Sequence, residues 1–295
     1  MPDFEAPNWA RNVLVVLTTL SFIPQLRRLA KQKNSLGLSS SYVLCNLIVA
    51  TEQITLLFCL MVTFPEDSGK LVFVHDPRNA GDWINLAQVA ISWLGWLAVF
   101  LLTIRYRPTS HAKSEYKVLY TLFALISLIP LFVDLIGLTY LLKHFWEPQD
   151  IRSGFFLIHI LLVNPFMIPL AAVSLLPQMA QIWKHIGDPV GYPGFSVAGL
   201  VVQAVLEGVL AVSWVWRVEF EEPRNVLEFE WFWGVGWIVV QSGILAGVKG
   251  VLGVVWGWRW IVMRLDRRGK DIEGGEDGTE EEEGSGGERE PLLGQ

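Results

Sequence analysis

The sequence predicts an all-α membrane protein with seven transmembrane helices, and three observations lead to this fold class. The chain of 295 residues is 52% hydrophobic and has a mean hydropathy of +0.39, values typical of membrane proteins. Its apolar stretches reach about 20 residues, the length that a helix needs to cross about 30 Å of hydrocarbon. Its lysines and arginines concentrate in alternate connecting loops, as expected when successive helices cross a membrane in opposite directions.

Seven apolar stretches are the predicted spans. The fifth is longer than the others and contains Pro165, Pro169 and Pro177, which predict kinks. We interpret it as one kinked, tilted helix, because no polar turn divides it. The spans are residues 9–28, 40–64, 83–104, 118–142, 155–183, 195–216 and 231–257.

The connecting loops indicate the orientation of the chain. The loops that follow spans one, three, five and seven carry about 14 lysines and arginines, and the segments on the other side carry about 7. Because cytosolic loops are enriched in these two residues, we expect a lumenal or outside N-terminus and a cytosolic C-terminus.

The C-terminal tail, residues 264–295, is predicted to be disordered, acidic and cytosolic. From Asp271 onward it holds ten acidic residues and one basic residue, so the net charge of −6 reflects the tail. Near its end, Glu288, Leu292 and Leu293 form an acidic-x-x-x-Leu-Leu pattern. Sorting adaptors read such patterns on lysosomal and vacuolar membrane proteins, and a chance match in a charged tail is the alternative.

The chain contains an internal repeat. Pro24 and Gln25 end the first span and are followed by Gly37-Leu38-Ser39, and Pro177 and Gln178 are followed by Gly194-Phe195-Ser196 after a loop four residues longer. In each copy the Gly-x-Ser sequence is predicted to start the next helix. A proline inside a helix removes one backbone hydrogen bond, so each copy predicts a weak point in a membrane helix.

Two Pro-Gln pairs on spans one and five, each followed by Gly-x-Ser, resemble the PQ-loop repeat family. That family includes cystinosin-like lysosomal and vacuolar transporters, shares its fold with the SWEET sugar transporters and is more distantly similar to the KDEL receptor. The resemblance implies a 3+1+3 arrangement of two three-helix bundles. The first repeat would be residues 1–104, the linker with span four 105–154, and the second repeat 155–263.

The resemblance also implies a substrate path between the bundles and hinging during alternating access. The hinge and gate candidates are Pro24, Gln25, Pro177 and Gln178.

Polar residues inside the spans are candidates for this path, because they are costly at bilayer depth. Asn46 and Gln203 lie nine residues after the glycines of the two copies, Gly37 and Gly194. Glu52 and Glu207 follow at offsets from these glycines that differ by less than one helical turn. We expect them on a central cavity, the alternative being amides that bridge helices within one bundle. In the cystinosin-like, proton-coupled members of that family, an acidic residue stands at the position that Gln203 resembles here. Because glutamine cannot take up a proton, Glu207, about one turn further on, is the candidate carboxylate.

His159, Asn164 and Asp134 are further polar residues in the spans. For His159, a proton relay and a helix-packing contact are both open, and Asn164 is a candidate for the substrate path. Asp134, in the linker span, either lines the path or makes a structural hydrogen bond.

Lys249 in the seventh span has three interpretations. It snorkels to the cytosolic interface, it contacts substrate or a carboxylate, or it binds retinal as in rhodopsins. The last is disfavoured, because Leu245 stands one turn earlier where rhodopsins of the microbial type have an acid. The same span carries GxxxG spacing at Gly243 and Gly247 and again at Gly253 and Gly257, which predicts close helix packing.

No Ser/His/Asp set, phosphate loop or metal-ligand cluster is apparent, so we expect neither an enzyme nor a cofactor, a bound metal or a nucleic-acid partner. The predicted function is a PQ-loop secondary transporter that exports a small polar solute, an amino acid, from lysosome or vacuole to cytosol. Partners would be the solute, membrane lipids and a sorting adaptor. Proton coupling is assigned to Glu207, Glu52, His159 and Asp134, and the substrate path to Asn46, Gln203, Asn164 and Lys249.

Two other functions fit the same fold. One is a sorting receptor or membrane scaffold that binds without moving a solute, and the other is a SWEET-like sugar uniporter. Fold alone does not separate them.

Overall fold

The computed structural model describes residues 6–63, 77–107, 111–133, 148–184, 196–217 and 236–276. About 90% of these residues are helical, and none of them lies in a β-strand. The predicted all-α class is therefore confirmed.

Nine α-helices and two π-helical turns make up the described part of the chain. The π turns are Cys59–Thr63, which follows α2, and His159–Val163, which joins α5 to α6. The α-helices are α1 Asn8–Gln32, α2 Ser40–Phe58, α3 Ala80–Arg105, α4 His111–Val133, α5 Pro148–Ile158, α6 Asn164–Val173, α7 Leu175–Lys184, α8 Val197–Val215 and α9 Trp237–Glu276.

Six segments of the described chain are long and apolar enough to cross a membrane, which fits an integral multi-pass membrane protein. They match six of the seven predicted spans. The fourth predicted span, 118–142, is described only as far as Val133 in α4. The six are Asn8–Gln32, Ser40–Met61, Ala80–Arg105, Ser153–Lys184, Val197–Val215 and Trp237–Arg259.

The serines of the two Gly-x-Ser sequences cap the helices that follow them. The Ser39 hydroxyl accepts a hydrogen bond from the backbone N–H of Tyr42 at the start of α2, and the Ser196 hydroxyl accepts one from Gly199 at the start of α8. Such bonds satisfy N–H groups that have no partner within the helix. Both predicted helix starts are confirmed.

The two Pro-Gln prolines lie in different helical contexts. Pro24 is inside the continuous helix α1, whereas Pro177 is the third residue of α7 and follows a turn at Ser174. A proline in the first turn removes no internal hydrogen bond. The fifth span is irregular at the π turn and at Ser174, yet it remains one apolar segment, Ser153–Lys184, as predicted.

Helix α9 continues further than expected. The tail predicted as disordered from residue 264 is helical as far as Glu276. Residues 277–295 lie outside the described part.

Helix α2 is the most enclosed of the six apolar segments that the structure describes. Within its apolar window 83% of the residues are buried, against 28–39% in the other five segments. It packs against α3, α4, α6 and α7, while α1 packs against α3 and α8. Residues 1–253 form one compact unit, in which all the sites below lie, and the chain after Gly253 belongs to a second unit.

The glycines of α9 do not behave as predicted. Among the described residues, a Cβ on Gly243 or Gly247 would meet no atom within 4 Å, so this GxxxG pair makes no close helix contact. A Cβ on Gly253 would stand 3.3 Å from the Val201 side chain. A close approach between helices is found instead at Gly95 of α3, where a Cβ would stand 2.6 Å from the Phe22 ring of α1.

We predict that Gly95→Ala destabilises the protein. The Phe22 ring packs edge to face on Trp96, 5.7 Å between centroids, and has little room to move. Overpacking of this kind costs about 1–3 kcal/mol, measurable as a lower apparent Tm in detergent. Gly247→Ala is the matched control and should be neutral or stabilising, because alanine is the better helix former. Equal effects of the two substitutions would contradict the α1–α3 contact.

Candidate functional site

Three consecutive residues of α2, Thr51, Glu52 and Gln53, are buried and polar. Successive residues on a helix point about 100° apart, so each faces a different neighbour. The Thr51 hydroxyl accepts a hydrogen bond from the Trp93 indole N–H at 3.2 Å and lies 3.3 Å from the Tyr120 hydroxyl. Thr51 thereby ties α2 to α3 and α4.

Glu52 pairs with His159 of the second π turn. Both carboxylate oxygens lie 2.9 Å from His159 Nδ1, and the two side chains are 0% and 1% exposed. The Phe155 ring covers the imidazole at 4.1 Å between centroids. Two residues predicted separately for proton coupling are thus in direct contact. π-helical turns occur frequently at functional sites.

Gln53 begins a second chain of contacts to the same π turn. Its amide N–H donates to Gln241 of α9 at 3.0 Å, and the Gln241 amide donates to Asn164 Oδ1 at 2.6 Å. The Asn164 backbone N–H in turn donates to the carbonyl of His159. Glu52 and Gln53 are therefore linked to the two ends of one turn. The sequence reasoning missed Gln241, although a glutamine in an apolar span is a detectable signal.

Glu207 and Lys249 form an ion pair between α8 and α9. Lys249 Nζ lies 2.9 Å from Glu207 Oε1, and the lysine and glutamate side chains are 1% and 17% exposed. The ammonium also lies 5.2 Å from the centroid of the Trp96 ring. The snorkelling interpretation of Lys249 is wrong, because the buried lysine has a carboxylate and an aromatic face as partners.

A cavity adjoins this ion pair. Its free space is about 20 Å³, enough for roughly one water molecule. Asn46 donates from Nδ2 to the carbonyl of Tyr42 at 2.8 Å, while its Oδ1 is buried without a partner. The residues that line this cavity include Asn46, Gln53, Gln88, Trp96, Glu207 and Trp214. We call this the first cavity.

Gln203 lines a separate, second cavity together with Gln25, Tyr42 and Ser196. Its amide donates to the carbonyl of Ser21 at 3.4 Å, a long bond. Asn46 and Gln203, although equivalent in the repeat, therefore do not face one common space. Trp96 belongs to the lining of both cavities.

The two Pro-Gln glutamines make reciprocal contacts. Gln178 of the second copy accepts from the Ser39 N–H and donates to the Gly37 carbonyl of the first copy, both at 2.8 Å. Gln25 of the first copy accepts from the Ser196 N–H of the second copy, also at 2.8 Å. Each glutamine thus binds the helix start that belongs to the other copy.

The remaining predicted residues lie outside the described residues. They are Asp134, Glu288, Leu292 and Leu293.

None of the protein-family models, curated proteins or solved structures compared with this chain matches it. Its function is therefore inferred from its own residues and contacts.

The ion pair generates a stability prediction. Lys249→Met leaves the Glu207 carboxylate without its partner, and breaking a buried pair costs about 3–5 kcal/mol. We expect a clear fall in apparent Tm in detergent, most of which Glu207→Gln restores in the double variant. Lys184→Met, at an exposed lysine, is the matched control and should leave Tm unchanged. A double variant as unstable as the single one would show that the pair is not coupled.

Proposed function

We propose that the protein is a proton-coupled secondary transporter of the PQ-loop type. It has seven spans in a 3+1+3 arrangement, with a lumenal N-terminus and a cytosolic C-terminus. It exports a small polar solute, an amino acid, from lysosome or vacuole to cytosol. The observation that carries this proposal is the reciprocal binding of Gln25 and Gln178 to the helix starts of the opposite copies.

Reciprocal contacts support two repeats of like design. Transporters built from parallel repeats have equivalent parts on either side of a pseudo-two-fold axis, with the solute path between them. Here one glutamine from each copy binds the start of α2 or α8 in the other copy, and the first cavity is lined by residues of α2 and α8. Buried ionisable groups within membrane spans are also typical of solute and proton paths.

In this proposal, the glutamine contacts are a latch on the cytosolic side, the side that the basic loops assign to the Pro-Gln segments. Small-molecule sites have about 300–1,000 Å³, far more than the 20 Å³ of the first cavity. A solute therefore enters only after the bundles separate. Release toward the cytosol breaks the bonds from Gln178 to Gly37 and Ser39 and from Gln25 to Ser196.

The proton is carried by Glu52 and His159. A carboxylate hydrogen-bonded to an imidazole can exchange a proton with it, because both groups can bind a proton. Glu207 is less suited, since its Oε1 is already bound by the Lys249 ammonium at 2.9 Å. The π turn then connects proton to solute: a change at His159 moves the turn, and Asn164 and Gln241 transmit that movement to Gln53 on the first cavity.

The test uses purified protein in sealed liposomes with an imposed pH gradient and a panel of amino acids and sugars. We expect substrate-dependent proton flux with the wild-type chain. Glu52→Gln should abolish accumulation driven by the gradient while leaving solute exchange at equal pH, because the proton carrier is lost and the path remains. Glu115→Gln, at an exposed glutamate of α4, is the matched control.

If accumulation survives in Glu52→Gln and disappears in Glu207→Gln, proton coupling would be assigned to Glu207 in the second repeat. Tracer movement without proton flux would favour a SWEET-like uniporter, a result consistent with Gln203 in place of an acid.

A second prediction concerns the latch. Gln178→Leu removes two hydrogen bonds worth about 0.5–1.5 kcal/mol each, so the cytosolic side should open more often. The readout is maleimide labelling, from the cytosolic side, of Gln203→Cys in a chain with Cys45 and Cys59 replaced by alanine. We expect labelling to be faster by up to roughly two orders of magnitude. Gln32→Leu, at an exposed glutamine, should not change the rate, and an unchanged rate in Gln178→Leu would exclude a latch.

A receptor that binds without moving a solute is the second candidate, and the small free space of the first cavity favours it. Only a transporter shows turnover across a sealed vesicle. The lysosomal or vacuolar location is likewise a proposal, carried by the Glu288, Leu292 and Leu293 pattern.

A further inference from the structure

Arg217, two residues beyond α8, is buried with part of its hydrogen-bonding capacity unused. Arg217 is only 2% exposed. Its Nη1 donates to Asn85 Oδ1 at 3.0 Å and to Gln88 Oε1 at 2.7 Å. The guanidinium carbon lies 4.6 Å from the centroid of the Trp214 ring. These three neighbours hold the guanidinium in one orientation.

The other edge of the guanidinium has no partner. Nε and Nη2 are both buried and make no hydrogen bond, and no carboxylate of the described residues forms an ion pair with Arg217. Burial lowers the pKa of Arg217 to about 9, and the positive charge of nearby Arg11 adds to this effect. The group therefore remains charged at neutral pH. A buried charge without a counter-charge is costly, so an anion here would be stabilising.

The position of Arg217 connects it to the first cavity. Gln88 and Trp214, its hydrogen-bonding and stacking partners, both line that cavity. Arg217 follows the C-terminal end of α8, whereas Ser196, the partner of Gln25, caps the N-terminal end of the same helix. The 19 residues of α8 separate the two ends by about 28 Å. Arg217 thus lies at the end away from the latch.

We propose that Arg217 binds the carboxylate of the solute at the non-cytosolic end of the first cavity. Nε–H and an N–H of Nη2 lie on one edge of the planar guanidinium and match the two oxygens of a carboxylate. The same cavity presents Asn46 Oδ1, an acceptor without a partner, and the Glu207 carboxylate. A solute with both a carboxylate and an ammonium group satisfies these groups, which selects amino acids over neutral sugars.

This inference rests on the proposed function, because it assigns the bound carboxylate to the transported solute. The anion site itself is testable without transport. The full chain is purified in detergent, and its apparent Tm is measured with each common L-amino acid, with the corresponding C-terminal amide, and with sodium acetate, chloride and phosphate. We expect stabilisation by one or more amino acids and by acetate, and little by the amides or chloride. Comparing acid with amide needs no variant, so it stands even where a variant fails to fold.

Variants then identify the residue. In Arg217→Gln the concentration of amino acid that gives half the stabilisation should rise about tenfold or more, because charge-assisted bonds are lost. Arg217→Lys keeps the charge without the fork and should lie between. Arg105→Gln, which removes an exposed arginine of α3, is the matched control and should bind like the wild type.

The outcomes separate this inference from the transporter proposal. Equal stabilisation by acids and amides, or full binding by a folded Arg217→Gln protein, overturns the site even where transport is observed. Carboxylate binding that depends on Arg217 supports the site even where liposomes show no flux. Stabilisation by chloride or phosphate equal to that by acetate overturns the assignment to a carboxylate, and the absence of stabilisation by any carboxylate overturns the site.

Discussion

The structure depends on one constraint, that polar groups buried within α2 must find partners among the helices around it. Thr51, Glu52 and Gln53 are adjacent and point in three directions, away from water. An unpaired polar group in such a place costs several kcal/mol. Each residue therefore contacts a different neighbour. Thr51 contacts α3 and α4, Glu52 contacts the second π turn, and Gln53 contacts helix α9. The arrangement around α2 follows from these bonds and from the apolar packing beside them.

The carboxylates that follow the two Gly-x-Ser sequences make different contacts. Glu52 and Glu207 occupy similar places after the Gly-x-Ser sequences, but Glu52 contacts a histidine and Glu207 contacts a lysine. An imidazole has a ring nitrogen that can accept or donate a proton, whereas an ammonium only donates hydrogen bonds. The two carboxylates are therefore held by chemically different partners. Arg217 differs from both, since its positive charge has no described acidic partner.

Several sequence interpretations were limited by the absence of tertiary information. For Lys249, the sequence leaves snorkelling and a carboxylate contact both open, because it gives the distance to the helix end but does not identify Glu207 as the neighbour. The alignment of the two copies predicts one cavity for Asn46 and Gln203. In the structure they line different cavities, and the bulky Trp96 side chain contributes to the lining of both. The GxxxG spacing of Gly243 and Gly247 indicated a close contact that is absent among the described residues. A linear pattern gives the face of a helix but not the side chain opposite it.

The sequence alone determined the all-α membrane class, six spans of the described chain, the two serine-capped helix starts and some of the polar residues within the spans, among them Glu52, His159 and Glu207. These features depend on local composition, length and periodicity, which a linear chain contains. Only the tertiary structure decided that Glu52 meets His159, that Glu207 meets Lys249 and that each Pro-Gln glutamine binds the opposite copy. The reason is physical: these contacts join residues 42 to 171 positions apart, and their geometry is set by how helices pack, not by neighbouring residues along the chain.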